Sequence, residues 1–395
     1  MSGSLTSIYD SVSYALNLHA KAITLLQEQT ASGNRVNRGS DSPSEAYRIL
    51  GLNTQDRSLE AYQESITELI GTLQISSTVI EGMASDLADT RTLLTQVVSG
   101  IQGAEGQKRS AEKINSTLEQ VVSLANTKHA NQYLFGGSDT ATAPYVVERE
   151  DGYITNVIYQ GSDEARLIDV ASSVSIEGCH VGDDIFRTRD RQAPEFAGIT
   201  GAQAGTGTSN VRGDVWLTVE HDGTNYHISI DDGATFVTVP DGGEPNQAVT
   251  DSRTGRVLYM DTTGINRAGQ EMVRVPGTYD LFSTLISIRD TLLNERSLSH
   301  QELLDTVDRA VAGVEEVRSL LTQADVATGS KLGFLNKLKD NLGDMQFDTQ
   351  DEVTRLQEAD ISQIAIDLSR REVLYQMSLS VVGKLMSTSL LDFIA

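Results

Sequence analysis

The chain has 395 residues, with 31 Lys and Arg against 55 Asp and Glu, for a formal net charge of −24. That length leaves room for two or three domains, and the acidic balance argues against a surface that grips nucleic-acid phosphates or anionic lipid. Aromatics are 5% and prolines 6, a composition that suits long helices better than a large aromatic-lined pocket.

The single cysteine, Cys179, excludes an intramolecular disulfide and any multi-cysteine metal site. No run of apolar residues is long enough to span a bilayer, so no membrane insertion is expected. Residues Met1 to Ala20 contain no Lys or Arg, and the basic start of a cleavable secretory signal is missing. The expectation is a cytoplasmic protein, or one exported by a route that does not read such a signal.

At the N-terminus, Val12, Ala15, His19, Ala22 and Leu26 follow alternating steps of three and four. Leu16, Leu18, Ile23 and Leu25 widen that stripe beyond the two positions per heptad that a simple dimeric seam needs. A turn-forming stretch with Gly33 and Pro43 comes next, then a long heptad. It runs through Leu59, Tyr62, Ile66, Leu69, Leu73, Ser76, Ile80, Met83, Leu87, Thr90, Leu94, Val97 and Ile101, apolar except at Ser76 and Thr90. A strand would show period two, so this is a helix. Gly100, Gly103 and Gly106 mark a hinge or turn before a second helical face at Ala111, Ile114, Leu118, Val121 and Ala125.

The middle, about Thr140 to Thr278, carries five of the six prolines and is rich in glycine. Asp222-Gly223 and Asp232-Gly233 lie between alternating apolar and polar runs, the signal of β-hairpins. A compact β domain is expected, with the low-complexity stretch Gly198 to Asn210 as a mobile loop.

No proline follows Pro276. From Leu303 a second stripe passes through Val307, Ala310, Val314, Val317, Leu321, Ala324, Thr328, Lys331, Leu335, Leu338, Leu342 and Met345, with Thr328 and Lys331 as polar exceptions. Two matched stripes at opposite ends of a chain can bury each other. The final segment repeats the rhythm at Ile361, Ala365, Leu368, Glu372, Tyr375, Leu379, Val382 and Met386 and stops in an apolar tail.

The fold class is therefore mainly α with a β insertion (α+β): a long antiparallel helical rod or coiled-coil bundle built from both chain ends, with a β-rich domain at its tip. Expected boundaries are 1–35 and 350–395 for terminal assembly segments, 36–139 and 279–349 for the rod, and 140–278 for the insertion. Apolar termini of this kind either extend the rod's own core or fold fully when neighbouring subunits bury them; the second reading is preferred.

Signatures of catalysis are missing: no GxSxG elbow, no phosphate loop of GxxxxGK[ST] type and no HExxH. Cys179-His180 are adjacent in sequence, but a nucleophile needs spatial convergence with an orienting group. His221 and His227 flank a hairpin turn and lack a third ligand at suitable spacing. No enzyme activity, cofactor or metal is expected.

Three motifs carry a resemblance. ASGNRVNRGSDSPSEAYRIL, Ala31 to Leu50, resembles the N-terminal signature of the flagellin superfamily, with Ser32-Gly33, Arg35, Asp41 and Pro43 in the family's loop positions. NQYLFGGSDTATAPY, Asn131 to Tyr145, is similar to the end of the N-terminal helical region in the hook–filament junction family of that superfamily. The stretch Leu356 to Ile394 resembles the same family's C-terminus, and Ser389-Leu390-Leu391-Asp392-Phe393 is closer to junction proteins than to filament flagellins.

The resemblance implies a structural adaptor between flagellar hook and filament. It also implies type III export without signal cleavage, and an inner tube of terminal helices. Implied partners are another hook-associated junction protein, flagellin, copies of the chain itself in a helical lattice, and an export chaperone; nucleic acid is not among them. The candidate interface residues are Val12, Leu16, His19, Ile23, Leu26, Arg35, Arg38, Leu368, Tyr375, Leu379, Val382, Met386, Leu390 and Phe393. Arg35 and Arg38 either meet acidic faces of an adjacent subunit or form a local turn with solvated charges. A filament flagellin is the alternative within the class. Surface-ligand binding or hydrolysis by the β insertion is the alternative outside it.

Overall fold

The computed structural model describes residues 2–99 and 103–394, with side chains described for 10–99 and 103–384. In chain order the helices and strands begin with α1 (Ser2–Ser32), α2 (Pro43–Val98) and α3 (Ala104–Ala125). Strands β1 (Lys128–His129), β2 (Gln132–Tyr133), β3 (Tyr145–Glu150), β4 (Tyr153–Tyr159), β5 (Leu167–Ala171) and β6 (Val174–Glu177) follow, then the short α4 (Gly182–Phe186). Next come β7 (Glu195–Phe196), β8 (Gln203–Ala204), β9 (Gly213–His221), β10 (Asn225–Ser229), β11 (Val237–Pro240), β12 (Gln247–Thr250), β13 (Val257–Asp261) and β14 (Gly269–Val275). The chain closes with α5 (Leu281–Leu293), α6 (His300–Gln357) and α7 (Ile361–Ile394). The expected mainly helical α+β class, with long helices from both chain ends and a β-rich middle, is what the protein adopts. The structure divides into two compact units, Met1–Glu64 with Leu338–Ala395, and Ser65–Lys337.

In the Ser65–Lys337 unit, the heptad positions of α2 from Ile66 to Val97 are all buried. From Ile80 to Val97 the apolar positions share one core with Leu303, Val307, Ala310, Val314, Val317 and Leu321 of α6, the predicted face of α3, and α5. Ser77 donates to Asp325 at 2.5 Å and Arg91 lies 3.6 Å from Glu315, so α2 and α6 run antiparallel here. The polar stripe positions are explained locally. Ser76 and Thr90 donate to the Thr72 and Asp86 carbonyls one turn back, which satisfies their buried hydroxyls. Thr328 and Lys331 fall where α6 meets the middle region: Lys331 pairs with Glu177 at 2.5 Å, and the Thr328 hydroxyl lies 3.3 Å from His180.

Helix α5 has a well-made start and stop. The Asp280 carboxylate caps it by accepting from the Phe282 and Ser283 amides at 3.0 Å, and Asn294 ends it in the left-handed conformation. Arg289 is buried on this helix; it donates to the Ile154 carbonyl at 2.8 Å and to Asn115 at 3.1 Å, and so fastens α5 to β4 and α3.

The larger β core is a five-stranded antiparallel sheet ordered β11-β10-β9-β14-β7, beside a three-stranded sheet ordered β12-β13-β8. Both expected hairpins are present: His221 pairs with Tyr226 across the first turn and Ile228 with Val237 across the second. Gly223, Asp232 and Gly233 take positive φ there, which is why Asp-Gly pairs signalled them.

The stretch Gly198 to Asn210 departs from the expected mobile loop. Thr200 and Ala202 are buried, β8 pairs with β13, and Gly205 and Gly207 lie against Tyr259. Its glycines serve close backbone approach rather than disorder. Sheet and helices are joined through Tyr279: its hydroxyl donates to Asp214 at 2.7 Å and accepts from Arg274 at 2.8 Å. Gly313 of α6 leaves room for the Tyr279 ring, where a Cβ would lie 2.7 Å away.

In the unit formed by 1–64 and 338–395, α2 and α6 again run antiparallel: Arg48 pairs with Glu352 at 2.6 Å and Gln63 donates to Gln346 at 2.8 Å. The predicted stripe changes phase at its end. Met345 is 48% exposed, while Leu342 and Thr349 are buried and Gln346 is turned toward Gln63. A 3.6-residue helix drifts against a strict 3.5 repeat, so the inward position moves by one residue. Ile101, the last position of the first stripe, lies outside the described residues.

Candidate assembly surface

Gly33 ends α1 with φ +72, a conformation that glycine adopts without steric penalty. The chain then pairs with the end of α6: Arg35 N donates to the Gln357 carbonyl at 2.6 Å and Ala359 N to the Gly33 carbonyl at 3.0 Å, around a bridge between Asn34 and Glu358. Asp41 closes the next turn by accepting from the Asn37 and Arg38 amides at 3.1 and 2.8 Å. Pro43 then opens α2 at the position where its missing N–H costs nothing.

Both loop arginines have partners within the chain. Arg35 donates to Glu45 at 2.8 Å and to the Leu356 carbonyl at 3.2 Å. The Arg35 guanidinium holds the Glu45 carboxyl below its ordinary value. Arg38 pairs with Glu28 at 2.9 Å. Exposed pairs like these orient the loop more than they stabilise it.

Helices α1 and α7 pack as an antiparallel pair, with Arg371 3.5 Å from His19 Nδ1. A cavity of about 460 Å³ between them is lined by Ala22, Leu25, Leu26, Asp367, Arg370, Arg371 and Leu374. The structure brings the predicted Val12, Leu16, His19, Ile23 and Leu26 of α1 and Leu368, Tyr375 and Val382 of α7 to half-buried positions. Leu379 is 47% exposed. Met386, Leu390 and Phe393 lie outside the residues whose side chains are described.

Sequence reasoning missed a second stripe on α7. Ile366, Val373, Met377 and Val381 are all exposed, Met377 at 61%. They recur at helical spacing on the face turned away from Leu368 and Tyr375. Tyr14 and Leu18 of α1 are exposed as well. The signal was present as a second apolar rhythm interleaved with the first. Only the pairing of α1 with α7 shows which rhythm is covered and which is bare.

Cys179 is buried, and burial pushes its thiol up. His221 lies 2.9 Å from Asp241, and His227 lies 3.0 Å from both Asp222 and Thr238, as cross-strand polar contacts. Among the described residues no group of three His, Cys, Asp or Glu side chains is placed to hold a metal ion, and no helix is long and apolar enough to cross a membrane.

His180 stacks on Phe135, and its pKa is pushed down to about 4, chiefly by burial. The unfolded histidine takes a proton near pH 6.5, where the folded one does not, so the unfolded state binds more protons between those values. Its contribution is complete above about pH 6.5 and is lost as pH falls toward 4. Replacing His180 by Asn is expected to flatten the stability profile between pH 6.5 and 5 in urea titrations. An unchanged slope would mean that this imidazole titrates normally.

This geometry defines a class: proteins whose two chain ends form paired antiparallel helices, with a β domain inserted between them in sequence. The family model of the bacterial flagellin N-terminal helical region matches residues 8–140. A flagellin of Listeria monocytogenes is 26% identical over 151 residues, which are 38% of this chain and 49% of that protein; the match thus spans about half the length of the curated relative. Among solved structures, flagellar hook-associated protein 3 of Legionella pneumophila covers 78% of this chain and 98% of its own at TM-score 0.54 and 18% identity. FlgL of Xanthomonas campestris covers 76% and 97% at TM-score 0.50 and 17% identity. The N-terminal part of the chain is thus similar to the flagellin N-terminal helical region, and the chain as a whole has an FlgL-like fold.

Proposed function

We propose that the protein is a structural subunit of the bacterial flagellum that joins hook to filament by helix-mediated packing and catalyses no reaction. The observation that carries this reading is the bare apolar stripe on α7, together with exposed Tyr14 and Leu18 on α1, in a chain of FlgL-like fold. Surfaces of this kind on paired helices call for further helices to cover them. Partners on this reading are copies of the chain, another hook-associated junction protein and flagellin, with an export chaperone holding the termini beforehand. The protein would act outside the cell after type III export without signal cleavage. Terminal segments 1–35 and 350–395 would line the inner tube, and 140–278 would face outward.

Filament flagellin is the second reading, favoured by the flagellin relatives. The junction ending Ser389-Leu390-Leu391-Asp392-Phe393 weighs against it. Deleting the gene separates the two. A junction adaptor leaves hooks without filaments and flagellin shed into the medium, restored by the intact gene. Bare hooks with no flagellin shed would make the protein the filament subunit, and intact filaments would overturn both readings.

A further inference from the structure

Four arginines, Arg212, Arg253, Arg256 and Arg296, line a cavity of about 230 Å³ on the β domain, beside Trp216. Four aspartates border the same cavity, and each is already engaged. Asp231 accepts from Ser229, Thr235 and Ser252. Asp232 pairs with Arg296 and Arg253. Asp251 accepts from the Arg253 amide and the Thr254 hydroxyl, and Asp214 from Tyr279. Arg296 also lies over the Trp216 ring at 4.7 Å.

Arg212 and Arg256 are left over: among the described residues neither guanidinium has a carboxylate within 4.0 Å or a hydrogen-bond partner. Each fork offers five donors that suit the oxygens of an oxyanion. Arg212 is exposed, so a ligand can reach it. Other arginines stand close to these two. Partial burial, with Arg187 and Arg256 nearby, pushes the Arg212 guanidinium below its ordinary value, and burial with Arg256 does the same to Arg191. With four arginines against four aspartates the cavity lining is formally neutral in a chain of net charge −24, and among the described residues Arg212 and Arg256 are the charges in it left without a partner.

We propose that Arg212 and Arg256, in the cavity beside Trp216, form a site for a tetrahedral oxyanion, a phosphate or sulfate group. The anion would take a fork from each arginine and relieve their repulsion. The group is either a free ion or an ester on a sugar, and the cavity has room beside Trp216 for part of the sugar.

The test is calorimetric titration of the full-length protein with sodium sulfate, sodium phosphate and a monosaccharide 6-sulfate, against sodium chloride at equal ionic strength. Saturable binding of one anion per chain is expected, weakened at least tenfold in Arg212→Gln/Arg256→Gln. Arg256→Lys keeps the charge but loses the fork and should weaken binding to an intermediate degree. A sugar sulfate binding at least tenfold tighter than inorganic sulfate would identify an ester as the ligand, and equal affinities the free ion. No saturable binding to the wild type, or equal binding by a double variant with unchanged circular dichroism, would overturn the proposal. If the double variant misfolds, Arg256→Lys decides in its place: undiminished affinity there overturns the site.

Discussion

Replacing Phe282 by alanine lowers the unfolding free energy by about 3–5 kcal/mol, the usual cost of emptying a buried aromatic site. Phe282 is 1% exposed. Its ring lies 4.7 Å from that of Tyr145 and 5.9 Å from that of Phe186, which in turn lies 5.1 Å from Phe135. These four rings come from the segment after β2, the start of β3, the end of α4 and the first turn of α5. Truncation therefore loosens the place where the β-rich middle closes on the helices, and the neighbours are too constrained by one another to collapse into the gap. Urea unfolding followed by helicity measures the loss as a lower midpoint at unchanged slope. A change under about 1 kcal/mol would mean that the site refills, contrary to the packing described.

A carboxylate on the bare face of α7 has the opposite profile. Met377→Asp puts the charge where the isolated chain already meets water, so the melting temperature is expected to stay within a degree or so of wild type. Assembly that buries this face would leave the carboxylate unpaired at a cost of several kcal/mol, a loss of more than a hundredfold in affinity for neighbouring subunits. Leu379→Asp, at a position 47% exposed, should behave in the same way. Leu26→Asp differs because Leu26 lines the cavity between α1 and α7, so it also loosens that pair. Filament attachment in a null strain, beside thermal melts of the purified variants, is the measurement. Normal attachment by Met377→Asp would show that neighbours do not cover this face. A large drop in melting temperature would place Met377 inside the folded body.

The long helices were legible because amphipathic periodicity is a local property. Ile66 to Val97 on α2 and Leu303 to Leu321 on α6 repeat at the interval that an α-helix turns to one side, and their burial follows whatever partner they find. The two hairpins were legible for a similar reason: Asp-Gly can adopt positive φ at little cost, so the turn is written where it occurs. The segment Ala31 to Leu50, with the loop between α1 and α2, was legible by resemblance, although its partners were not. That Arg35 meets Glu45 and the Leu356 carbonyl depends on the end of α6 lying beside Gly33.

By itself the sequence determined the helical ends and the β-rich middle, because each rests on spacing or on the φ preference of single residues. Tertiary structure decided the rest. It moved the inward position from Met345 to Gln346, since helical drift accumulates with length and only the partner helix reports its phase. It tied down the glycine-rich stretch at 198–210, since a glycine that permits disorder and one that permits close packing look alike in a sequence. It separated the covered and bare stripes of α7, and it drew Arg212 and Arg256 into one cavity. Convergence of residues far apart along a chain is set by which surfaces pack together, and no local interval encodes it.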